Sequence, residues 1–198
     1  MKNSLLLSIF LLFRFLAAAQ TGLEVRGYGG VSGAMANWNI DLDGASSVTI
    51  KNYKEVGILL SKGIGEKFSI TGGVIYSFAN VEYSPNFPLC VNCQYEYVHN
   101  SSFRLLSIPV YAEYALGKIF YTAAGPIVDF HLTQRNNFSD QSGVGYLVGF
   151  GAKLDIQNLS FSIFPNYKRH NVIPFVKEGN YKQVLHELGI QLGVGYSF

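Results

Sequence analysis

Between Val184 and Phe198 the chain separates by twos into an apolar set, Val184, His186, Leu188, Ile190, Leu192, Val194, Tyr196 and Phe198, and a second set of Leu185, Glu187, Gly189, Gln191, Gly193, Gly195 and Ser197. A two-residue period with one greasy face predicts a β-strand. The same alternation recurs upstream. It predicts strands over Leu23 to Met35, Tyr53 to Lys62, Phe68 to Tyr83, Phe103 to Leu116, Ile119 to His131, Val144 to Leu154 and Leu159 to Tyr167. Glycine makes the first of these the weakest pattern. Pro109 and Pro126 fall inside predicted strands, where a residue without an N–H predicts a bulge.

The connections alternate in length. Gly63 to Lys67, Gly117-Lys118 and Asp155 to Asn158 read as short turns, while Trp38 to Asn52, Ser84 to Ser102, Leu132 to Ser142 and Lys168 to Gln183 read as long loops. In an antiparallel barrel this puts every short turn at one end and every long loop at the other, with both termini on the short-turn side. The expected fold is therefore all-β, an antiparallel up-and-down transmembrane β-barrel of about eight strands.

The amino terminus adds export. Lys2 precedes an apolar run, Leu5 to Leu16, and then the small residues Ala17-Ala18-Ala19 ahead of Gln20. That order is a signal peptide, residues 1–19, leaving a barrel domain over residues 20–198. The run is shorter than the ~20 residues a membrane helix requires. With 48% hydrophobic and only 14% charged residues, a chain without such helices satisfies its backbone in a bilayer by closing a sheet. A net charge of +2 is too small to suggest nucleic acid, and there is no basic run, so no nucleic-acid partner is expected.

Periodicity alone does not separate a membrane barrel from a soluble barrel that carries an apolar ligand. The nearly uncharged apolar face favours lipid, and so do aromatics at both levels: Phe68, Tyr114, Phe120, Tyr196 and Phe198 near the short turns, and Trp38, Phe78, Phe130 and Tyr167 toward the long loops. The opposite face then lines the lumen. It holds Glu24, Arg26, Tyr28, Glu55, Tyr111, Glu113, Tyr121, Asp129, Lys153, Glu187 and Gln191. Its charges, Glu24, Arg26, Glu55, Glu113, Asp129, Lys153 and Glu187, must pair in so narrow a space, so Arg26 and Lys153 are expected beside carboxylates. About eight strands enclose room for side chains and no more. Gly145, Gly149, Gly151, Gly189, Gly193 and Gly195 would make space for large side chains from across the lumen.

Ser107-Ile108-Pro109-Val110-Tyr111, Tyr114-Ala115-Leu116-Gly117, Tyr121 and Ala124-Gly125-Pro126, with the Ala19-Gln20 junction and the terminal Tyr196-Ser197-Phe198, resemble the PorT-like outer-membrane β-barrel family of Bacteroidetes. The resemblance implies a bacterial outer-membrane location and fold and names no catalytic residues; with short turns on the periplasmic side, the termini are expected in the periplasm. It also implies that Tyr196 and Phe198 form a signal for the outer-membrane assembly machinery.

Candidate chemistry is sparse. Cys90 and Cys93 lie in the longest loop of an exported chain, where a local disulfide is the expectation; a metal site would need ligands beyond His99. His99, Ser101 and Glu113 have the spacing used by an outer-membrane lipid deacylase family, but the strand pattern sets Glu113 at the far end of the strand that Ser101 precedes. No catalytic residue, cofactor or metal is expected. The reading is a monomeric outer-membrane barrel with a side-chain-filled lumen, in contact with lipid and serving a structural or surface-interaction role. A lipid-modifying enzyme and a soluble carrier of an apolar ligand are the alternatives.

Overall fold

The computed structural model describes residues 22–38, 47–84, 99–133, 138–176 and 182–198. The expected export segment, Cys90 and Cys93 lie outside them. Eight strands, β1 (Leu23–Trp38), β2 (Ser47–Ile64), β3 (Phe68–Ser84), β4 (His99–Leu116), β5 (Phe120–His131), β6 (Gly143–Ile156), β7 (Leu159–Pro174) and β8 (Gln183–Ser197), close into one barrel in chain order. Every neighbouring pair is antiparallel. Closure is made by β1 against β8 in an unbroken register from Glu24↔Ser197 to Trp38↔Gln183. The β2–β3 and β4–β5 turns each begin on a glycine of positive φ, Gly65 at 80° and Gly117 at 88°. That region costs glycine nothing.

Several strands reach further than their alternation predicts, β1 to Trp38, β4 from His99, and β2 and β7 furthest of all. Asn52, with φ of 55°, forms a bulge where the β2–β3 register slips between Lys51 and Lys54. The slip reverses the in–out parity, so the period fails at Asn52 although the strand continues back to Ser47. β7 runs on to Pro174, through what reads as a loop from Lys168 onward. There inward Lys168 and His170 flank Arg169, and a stretch that is polar on both faces gives no alternation to detect.

No bulge forms at the strand prolines. The β3–β4, β4–β5 and β6–β7 ladders each skip two rows, at Pro109, Pro126 and Pro165, and resume in the same register. Each missing N–H opens a short gap toward one neighbour, and no extra residue is inserted.

The lumen is solid and layered. From the short-turn end come a polar layer around Glu24, Arg26 and Glu113, and then an apolar layer of Tyr28, Leu59, Ile75, Tyr111, Tyr121, Ile127, Leu147 and Phe164. A second polar layer follows around Glu55, Lys168 and Glu187. An apolar cap of Tyr53, Val81, Phe103, Leu105, Phe138 and Leu185 closes the long-loop end. Rings lie over glycines of the adjacent strand, a closer partner than the far wall. Tyr28 covers Gly57, where a Cβ would stand 2.6 Å from the ring, Tyr121 covers Gly151, and Phe164 covers Gly149.

Candidate functional site

Every lumen charge expected from the sequence points inward, and the structure sorts them into two networks. In the first, Arg26 Nε and Nη2 donate to the two Glu24 carboxylate oxygens at 3.0 and 3.2 Å, while Nη1 donates to Glu113 at 3.3 Å. Thr71 donates to Glu113 at 2.9 Å and Ser160 to Glu24 at 2.5 Å. Lys153 reaches Glu24 at 3.2 Å from the mouth, its side chain still 29% exposed. Two carboxylates meet two cations, as burial in a narrow lumen demands.

The second network contains residues that alternation could not assign. Lys168 ion-pairs with Glu55 and, at 3.2 Å, with Glu187. His170 faces Asp129 through Nδ1 at 2.8 Å and Glu187 through Nε2 at 2.7 Å. Ser107 donates to Asp129 at 2.6 Å, and Gln191 to Glu55 at 2.8 Å. Unpaired, Glu55, Asp129 and Glu187 would be three buried carboxylates. That surplus of acid in the inward set was the available signal that cations had yet to be found.

Above this network β8 loses its β7 partner, since the β7–β8 ladder ends at Arg169↔His186. The segment that follows β5 takes over: Gln183 N donates to Ser139 Oγ at 3.0 Å and Leu185 N to Gln141 Oε1 at 3.0 Å. Phe138 packs edge-on to Phe103, with centroids 5.5 Å apart, and seals the mouth. Backbone donors that would otherwise be buried and unpaired are satisfied by that segment.

Ser107 donates to Asp129, which also holds the His170 imidazole, so among the described residues the serine meets the carboxylate and not the imidazole. Ser101 and Glu113 are twelve residues apart (113 − 101) on β4, roughly 40 Å at ~3.3 Å per residue. Glu113 is held by Arg26 and Thr71. Among the described residues no group of His, Cys, Asp or Glu is arranged to hold a metal ion.

The outer surface is the converse. Ile58, Val74, Val110, Phe150, Leu188, Leu192 and Val194 are each 49–69% exposed, and comparable residues continue around the belt. Aromatics gather at both edges, with Phe68 on Tyr114 at 4.8 Å and Tyr196 on Phe198 at 5.1 Å near the short turns, and Phe130 on Phe175 at 6.0 Å toward the loops. The apolar face of the described strands is therefore outside, and the inward face carries the polar layers and rings described above. His186 sits on that face beside Tyr167, 2.7 Å from its hydroxyl. This is the layout of a barrel whose solvent is lipid.

No protein-family model and no curated protein sequence matches the chain. Solved structures do match. The outer membrane protein OprG from Pseudomonas aeruginosa aligns at a TM-score of 0.59 and 14% identity, over 90% of this chain and 97% of that one. The fold is that of an outer-membrane β-barrel. Ail, the attachment invasion locus protein of Yersinia pestis, aligns over 90% of this chain and 100% of its own at 17% identity and a TM-score of 0.42.

Proposed function

We propose that this protein is a monomeric, integral outer-membrane barrel with a structural or surface-interaction role and no catalytic activity. The observation that carries the reading is the pairing of an apolar exterior with a lumen packed from end to end by ion pairs and aromatic rings. A channel needs a continuous aqueous path, and Arg26, Phe164, Lys168 and Phe103 occupy successive levels of the only one available among the described residues. The short turns and both ends of the barrel domain face the periplasm, and the long loops face outward. The alternation of short turns and long loops supports this orientation, and the resemblance to the PorT-like Bacteroidetes barrels supports the assignment to that family. Tyr196 and Phe198 present the last strand to the assembly machinery.

The test is reconstitution into a planar lipid bilayer after extraction of the membrane fraction. The protein is expected to resist a carbonate wash, to require detergent for release, and to give no stable single-channel steps. Regular conductance steps from the folded protein would contradict the filled lumen.

A further inference from the structure

The apolar belt ends unevenly, and its boundary is basic on one side of the barrel. On β3 the outward residues are apolar from Phe68 through Ile70, Val74 and Tyr76 to Phe78, matching the roughly 9–11 residues with which a tilted strand crosses the hydrocarbon layer. The next outward residues are Asn80 and Glu82. Phe78 pairs with Lys54 on β2 and with Arg104 on β4, so the two cations flank one exposed ring in a single row. Two strand spacings separate their backbones, about 10 Å. Long side chains from both can close on one group between them.

The bulge at Asn52 sharpens this feature. It places Lys51, Asn52 and Lys54 all on the outward face, where strict alternation would have turned one of them inward. Lys51 is neutralised by Glu82 at 2.8 Å. Among the described residues, Lys54 and Arg104 have no carboxylate partner. Between them lies an open depression of about 490 Å³, lined by Asn52, Lys54, Phe78, Asn80, Ser102 and Arg104. Directly below it the row Val56, Tyr76 and Leu106 is apolar.

We propose that this depression binds a phosphate-bearing lipid of the outer leaflet. The headgroup phosphate is held by Lys54 and Arg104, Asn80 and Ser102 lie within the polar wall, and the acyl chains descend over Phe78, Tyr76 and Leu106. Arginine and lysine together suit an anion with several acceptor oxygens, and their place at the edge of the belt is where such headgroups lie. The inference rests on the membrane reading above.

The experiment is native mass spectrometry of the detergent-solubilised full chain with diphosphoryl lipid A, its dephosphorylated counterpart, and inorganic pyrophosphate as separate probes. The wild type is expected to retain diphosphoryl lipid A, and the Lys54→Gln, Arg104→Gln double variant to bind it roughly 30-fold more weakly, from two basic groups at a membrane surface. Lys54→Arg with Arg104→Lys should keep binding, as should the opposite-rim control Lys67→Gln, Lys118→Gln. Equal retention by the double glutamine variant, equal retention of the dephosphorylated lipid, or equally tight binding of pyrophosphate alone would each overturn the proposal. A boiling-dependent gel shift accompanies every sample. If the wild type itself lacks that shift, the membrane reading fails and takes this site with it; a normal shift without discrimination overturns the lipid site alone.

Discussion

Lys168 is the residue on which the upper network depends. Its ammonium lies between Glu55 and Glu187, with side chains 0–2% exposed throughout. Removing one partner of a buried pair strands the other charge, at a cost of about 3–5 kcal/mol. Lys168→Met should therefore lower the urea midpoint of the detergent-folded protein sharply. The triple change Lys168→Met, Glu55→Gln, Glu187→Gln should recover most of that loss. Lys153, more open to water, should lose less than ~1 kcal/mol on change to alanine. Gly57 offers a second test, because a side chain there must displace the Tyr28 ring. Gly57→Val should cost about 1–3 kcal/mol by overpacking, read from the same urea titration. The inward carboxylates were legible from alternation alone. Lys168 and His170 were not, since their neighbours on either side are also polar.

At the scale of elements, strand existence was legible wherever one face is greasy and the other is not. The ends were lost where that contrast fails, at the Asn52 parity reversal in β2, along the polar run from Lys168 to Asn171 in β7 and over the polar start of β4. The prolines misled in the other direction: a missing donor is accommodated by a two-row gap in the ladder, which leaves no trace in the period. The terminal strand was the clearest element of all. Its apolar residues from Leu188 to Phe198 are exposed, and its full length seals the barrel against β1. If Tyr196 and Phe198 also serve assembly, the Tyr196→Ala, Phe198→Ala variant should refold in detergent from urea like the wild type. In cells the same variant should fail to reach the membrane fraction. Loss of refolding in detergent would instead mark the two rings as structural only.

For the whole molecule, closure and sidedness follow from one arrangement. Eight antiparallel strands leave no free edge, short turns collect at one end, and the residues that water would favour are turned inward. Exposed apolar residues on every side would make such a surface aggregate in water, whereas lipid covers it. No helix of the described residues is long and apolar enough to cross a membrane. The most direct measurement is a gel comparison of boiled and unboiled outer-membrane fractions from cells expressing the full chain. The account predicts a membrane-bound band that migrates differently before and after boiling, because the closed barrel survives detergent until heated. A band released without detergent, with no shift on boiling, would contradict it.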